Sequence, residues 1–231
     1  MEMSRYIFSL VFLFASCWVF AQSLPDSVTV KDKEEIDWTP SLVRFGYDLG
    51  STALTLASSP HQRQEIMAEM DFGKWFFVGE IGSQAIERGE VYNYRSAGNY
   101  GRIGLDKNLT PKLPGGHVVS AGFRYAFSNF RETMDYAGLR VENSDLLATW
   151  MEVTTGIRMK LWKQLYLGYQ LRLRGFKRIS EEEGKLQTFD VPGFGRNKRS
   201  GTTVRNGGVG FSYYVSWTIP FREKEGIPDE D

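Results

Sequence analysis

The stretch Gly208-Val209-Gly210-Phe211-Ser212-Tyr213-Tyr214-Val215-Ser216-Trp217-Thr218-Ile219-Pro220-Phe221 alternates along its whole length. Val209, Phe211, Tyr213, Val215, Trp217, Ile219 and Phe221 make one face. Gly208, Gly210, Ser212, Tyr214, Ser216 and Thr218, all glycine or hydroxyl residues, make the other. A strict period of two predicts a β-strand with one apolar and one polar side. The run exceeds the usual strand length of about five or six residues and is long enough to cross a bilayer when tilted.

Seven further segments carry the same pattern, at about Leu42 to Leu54, Gln64 to Phe72, Trp75 to Ser83, Ala97 to Asp106, Val118 to Ser128, Thr149 to Leu161 and Leu165 to Arg174. Gly73-Lys74 and Trp162-Lys163 read as two-residue turns, the first a strong hairpin signal. Asn108 to Gly116, with two prolines and two glycines, reads as a longer turn. Ser58-Ser59-Pro60-His61, Gln84 to Arg95, Asn129 to Leu147 and Gly175 to Arg205 read as long loops. Short and long connections thus fall at opposite ends, as in outer-membrane barrels with periplasmic turns and longer outer loops. The predicted fold is all-β, an eight-stranded antiparallel transmembrane β-barrel.

The alternative is a soluble lipocalin-like periplasmic barrel with its apolar face around a ligand. Two features of the polar face favour the inverted arrangement. It is crowded with glycine, including Gly46, Gly82, Gly98, Gly104, Gly122, Gly156, Gly168 and Gly210. Glycine weakens a strand and gains nothing on a wetted surface, whereas an eight-stranded lumen is only wide enough for side chains to fill it. The same face carries Arg44, Arg102, Arg124, Arg158, Lys160, Arg172 and Arg174 against Asp48, Glu65, Glu69, Asp71, Glu80, Asp106 and Glu152. Charges in a closed interior must be paired, and here they balance. These residues are the predicted interior network, structural in role.

The chain has 231 residues, with Lys plus Arg and Asp plus Glu equal at 28 each. Zero net charge gives no basic face for nucleic acid. Met1 to Ala21 reads as a signal peptide: Arg5 precedes an apolar run from Tyr6 to Phe20, shorter than the ~20 residues of a spanning helix. Phe14-Ala15-Ser16-Cys17 faintly resembles a lipoprotein signal, which would retain Cys17, the lone cysteine, as an acylated N-terminus, whereas cleavage after Ala21 would remove it. Residues 22–41 read as a polar periplasmic leader, 42–221 as the barrel and 222–231 as a charged tail.

Tyr94 with Tyr100-Gly101-Arg102-Ile103-Gly104-Leu105-Asp106, then Gly122-Phe123-Arg124-Tyr125-Ala126-Phe127-Ser128, resemble uncharacterised outer-membrane β-barrel proteins of Bacteroidota. So do Trp162-Lys163-Gln164-Leu165-Tyr166-Leu167-Gly168, Val191-Pro192-Gly193-Phe194-Gly195 and the ending Tyr213 to Phe221. The resemblance covers most of the mature chain and implies location and fold, but no activity.

No catalytic, metal or cofactor constellation is read from the sequence. The two histidines, His61 and His117, are predicted at opposite barrel ends. A rim enzyme acting on lipid or peptide would draw on His61 with Ser58, Ser59, Asp135 or Asp145, although serine and aspartate abound in loops anyway. Gly193-Phe194-Gly195 lacks the strand–helix context of a phosphate cradle. The run Arg196-Asn197-Lys198-Arg199 with Arg205 offers contacts to lipopolysaccharide phosphates, but charge runs are more often only solubilising. The expected partners are outer-membrane lipid, the barrel-insertion machinery and other outer-membrane proteins.

Overall fold

The computed structural model describes residues 38–57, 61–89, 93–111, 113–180, 188–196, 199–200, 203–204 and 207–221. The predicted signal peptide with Cys17, most of the predicted leader and the predicted tail lie outside the described residues. So do Ser58, Ser59, Asn197, Lys198 and Arg205.

Eight strands close into one antiparallel barrel. They are β1 (Leu42–Asp48), β2 (His61–Phe72), β3 (Trp75–Gly89), β4 (Asn93–Asn108), β5 (Val118–Tyr136), β6 (Leu139–Trp162), β7 (Leu165–Ile179) and, after four two-residue strands within the last connection, β12 (Gly208–Pro220). Neighbours in sequence pair in space, and β1 closes the ring on β12 from Leu42 opposite Pro220 to Asp48 opposite Tyr214. The closing strand has the orientation its alternation predicts. Gly210, Ser212, Tyr214, Ser216 and Thr218 are buried, while Val209, Phe211, Tyr213, Trp217, Ile219 and Phe221 are exposed.

The first predicted strand is too long. After Asp48 the chain forms a helix, α1 (Leu49–Ala57). Asp48 starts it: its Oδ1 accepts from the Ser51 N–H at 3.2 Å, and its carbonyl accepts from the Ser51 hydroxyl at 3.0 Å. An aspartate cap ahead of Leu, Ala and Leu outweighs a period-two pattern carried by small residues. Two presumed loops are largely sheet. β3 and β4 run on to Gly89 and Asn93, and β5 and β6 to a turn at Ala137 and Gly138. Beyond the apolar belt the outer faces are mostly polar and the buried inner faces mix Ile86, Tyr94 and Phe130 with Ser96, Glu132 and Asn143, so these arms carry no clean alternation. The arms are uneven: a bulge between Phe130 and Glu132 and a register shift between Thr149 and Met151 accommodate β6, the longest strand.

Outward residues form a broad apolar belt, which Val209 to Phe221 crosses over about 40 Å of strand, or about 30 Å of height at the usual tilt. Trp75, Trp162, Trp217 and Phe221 lie toward the end of the short turns. Lys107 sits over Trp75 and Lys163 over Trp162. At the other end the belt stops at an in-register row, Gln64, Ser83, Asn99 and Asn129 on β2 to β5. The soluble lipocalin-like alternative needs the reverse distribution, and the charged interior contradicts it. Among the described residues no helix is long and apolar enough to cross a membrane.

Candidate functional site

The lumen is filled by a connected set of arginines and carboxylates. At mid-height Arg102 reaches Glu65 at 2.8 Å, Glu80 at 3.0 Å and Glu152 at 3.1 Å. Arg172 lies beside it, 2.8 Å from Glu80 and 3.3 Å from Glu65. Its guanidinium also donates to the Ser212 and Tyr214 hydroxyls. Arg124 grips both oxygens of Asp106 at 2.7 and 2.8 Å. Arg174 is 3.2 Å from Glu152, which also accepts from the Trp150 indole at 2.7 Å. Toward the turn end, Arg44 and Arg158 converge on Glu69 and stack over Tyr166 and Phe76.

Of the residues named from sequence, Asp71 is buried and Asp48 divides its role between the helix cap and Arg63, 3.8 Å away. Lys160 is the exception. It is exposed at the turn-end rim, where its backbone N–H donates to His117 Nδ1 at 3.3 Å, so it leaves the network. The lumen opens to water there, and a flexible cationic side chain gains more from solvent than from burial.

Arg63 and Tyr100 join the network outside the predicted charge set: β2 begins at His61 and not Gln64, which brings in Arg63, and a count of charges gives an inward tyrosine no role. Arg63 reaches Glu65 at 2.7 Å and the Tyr100 hydroxyl at 3.0 Å, and that hydroxyl donates to Glu65 at 2.6 Å. Glu65 is thus surrounded by three arginines and two tyrosines. A Cβ at Gly82 would strike the Tyr100 ring, so this wall is glycine because an aromatic occupies the space.

The seventh connection, read as a solvated loop, folds back into the barrel mouth. β8 (Asp190–Val191) and β9 (Gly195–Arg196) form a small hairpin around Pro192, Gly193 and Phe194. Val191 and Phe194 are buried in an apolar cluster with Tyr100, Phe130, Leu146 and Trp150. The Trp150 and Phe194 rings meet edge to face at 5.7 Å, and Lys177 lies over Phe194 at 4.9 Å. Polar contacts pin the hairpin: Arg102 donates to the Gly193 carbonyl at 2.9 Å, Arg174 to the Phe194 carbonyl at 2.6 Å, and the Gly193 N–H donates to Gln84 at 2.8 Å. Asp190 pairs with Arg88 at 2.8 Å, and its N–H donates to the Tyr94 hydroxyl at 3.1 Å. Tyr94 donates to Glu132 at 2.8 Å, and Glu132 also accepts from Asn143 and Thr188. Burial, and then the Glu132 carboxylate, push the Tyr94 phenol well above its usual range, which keeps it a donor. The available signal was Val191-Pro192-Gly193-Phe194, a small apolar turn inside a charged loop.

The filled lumen leaves little space. Toward the turn end about 30 Å³ remains between Glu69, Asp106, Gln170 and Tyr214, room for a water molecule and not a channel.

Among the described residues, the rim-enzyme candidates His61, Asp135 and Asp145 are not brought together. His61 on β2 shares a register row with Ile86, Ser96 and Glu132, so Asp135 on β5 is three strand spacings away, about 14 Å, and a further three residues, about 10 Å, along the strand. Asp145 is one strand further, exposed on β6. His117 is at the opposite end, before β5. Among the described residues no cluster of three or more histidine, cysteine or acidic side chains has the geometry to hold a metal. Gly193-Phe194-Gly195 is occupied in plugging the mouth. Of the basic run, Arg196 is exposed.

The family described as Domain of unknown function (DUF6048) matches residues 3–224. The chain belongs to this family. The match spans the entire barrel of this DUF6048 protein, including the hairpin that fills its mouth. No curated protein matches the sequence. Among solved structures, the crystal structure of Neisserial surface protein A (NspA) is similar at 10% identity and a TM-score of 0.39, over 79% of this chain and 96% of that one.

Proposed function

We propose that the protein is a non-enzymatic outer-membrane β-barrel, an envelope component or the partner of other proteins in an outer-membrane assembly. The observation that carries this reading is the inverted distribution of polarity. A lumen packed with paired charges sits inside a belt of exposed Phe, Ile, Leu, Val and Trp side chains. In water that belt would cost about 25 cal/mol for each Å² exposed, whereas lipid covers it without cost. The closed ring leaves no unpaired strand edge within the belt, as a bilayer requires. Residues 1–21 act as the export signal, the turn end with residues 22–41 and 222–231 faces the periplasm, and the uneven hairpin arms face outward. The sealed lumen supports a role other than conduction. A Bacteroidota source fits the motifs that the family resemblance rests on.

Fractionating cells that make the native protein, then purifying it in mild detergent, tests this. Expected are recovery in the outer membrane, a heat-dependent shift in gel mobility and co-purifying outer-membrane proteins. Recovery in the soluble periplasm would overturn the reading. So would hydrolysis of lipid or peptide substrates that is lost on His61→Ala substitution.

A further inference from the structure

The outer surface of β2 to β5 is not a uniform belt. Ala68 and Gly79 are neighbours across β2 and β3, and Gly101 on β4 lies opposite Ile81. These small residues leave an apolar furrow of about 750 Å³ between taller neighbours that include Phe45, Ile81, Ile103 and Phe127. A Cβ placed on Gly79 would meet nothing within 4 Å, whereas one on Gly101 would touch the Phe127 ring that forms the furrow's wall. The furrow continues toward the loop end into a depression of about 500 Å³, sharing Ile66, Ile81, Gly101 and Phe127. That depression shares Gln64, Ser83, Asn99 and Asn129 with a third, polar one of about 650 Å³. Each volume is of ligand-pocket size, and together they pass from apolar to amide and hydroxyl chemistry in the order of a membrane lipid.

We propose that this surface is a binding site for a glycolipid. Its acyl chains lie in the furrow over Ala68, Gly79 and Gly101, and its uncharged, hydroxyl-rich headgroup lies on the row Gln64, Ser83, Asn99 and Asn129. The proposal rests on the membrane reading above, because the furrow is continuous with the lipid-facing belt. Charge decides the headgroup class. The row itself is neutral and offers both donors and acceptors to hydroxyls. The cations in the polar depression are Arg63 and Arg131. Arg63 is committed to Glu65 at 2.7 Å, and Arg131 shares the depression with Glu142 and Asp145. No net positive charge remains there to favour a phosphate.

The test titrates the full-length protein in detergent with digalactosyl diacylglycerol or with phosphatidylglycerol of the same acyl chains, read by native mass spectrometry. Each protein is first checked for outer-membrane recovery and heat-modifiable mobility. The glycolipid is expected to bind about tenfold more tightly than phosphatidylglycerol. Asn99→Ala with Asn129→Ala, both exposed, should lose about tenfold for the glycolipid alone, the scale of two neutral hydrogen bonds. Gly79→Phe fills the furrow where space is open and should weaken both lipids. Equal affinity for the two lipids in an inserted wild-type protein overturns the glycolipid site only, as do variants without effect or a second protein copy on this face. Failure of the wild type to reach the membrane overturns the membrane reading as well.

Discussion

The Arg102 guanidinium donates to the carbonyl oxygen of Gly193 at 2.9 Å, across 91 residues of sequence. One arginine therefore belongs both to the charged layer at mid-lumen and to the hairpin that closes the mouth. Its other contacts go to Glu65, Glu80 and Glu152. Removing one partner from such a buried network leaves charge uncompensated, which is why its members are expected to act together.

Gly193 has φ +80°, and a Cβ there would crowd the Tyr100 ring. Gly193→Val combines a left-handed backbone penalty of about 1–2 kcal/mol with that clash. The mouth hairpin should open about tenfold more often, read as faster limited proteolysis between residues 180 and 207 with the barrel intact. Unchanged cleavage would mean that the hairpin is held by contacts other than those at its turn.

Arg124 and Asp106 form a bidentate pair in the lumen, with Glu80 3.6 Å from Arg124. Arg124→Met or Asp106→Leu alone should cost about 3–5 kcal/mol, because each strands a buried charge. The double variant should be far milder than the sum of the two. Urea unfolding in lipid vesicles measures the cycle. Additive losses would show that the two side chains are not paired.

The charged layer, not the hairpin alone, blocks passage. Deleting residues 188–196 should therefore still give no conductance in planar bilayers, since Arg102 and Arg172 remain bridged by Glu65, Glu80 and Glu152. Discrete ion-conducting steps in the intact protein would refute a closed lumen.

Phe221 is exposed at the end of β12, and its N–H donates to the Ser41 carbonyl at 2.9 Å. Phe221→Asp should lower outer-membrane yield several-fold by spoiling the aromatic end of the closing strand as an insertion signal. An interfacial acid costs only about 0–1 kcal/mol of barrel stability, so a large loss would reflect assembly. Undiminished yield would count against that role for Phe221.

The sequence by itself determined the barrel and which way each strand faces. Period-two alternation is local, and one reading of Val209 to Phe221 assigns every side chain to lipid or lumen. The glycines and balanced charges of the polar face pointed inward for the same local reason, that a narrow lumen must be filled. Only the tertiary structure decided where strands end and what closes the mouth. Beyond the belt the inner faces of β3 to β6 mix apolar with polar residues and the outer faces are mostly polar, so their arms looked like loops. The Asp48 cap is a local contact, but the helix it starts sits beside β2 and β12, which both run on past Asp48 and leave room for it in the wall. Val191 and Phe194 gain burial from Tyr100, Phe130 and Trp150, residues on three other strands. Such a contact depends on chain segments far apart in sequence, and no window along the chain contains both sides of it.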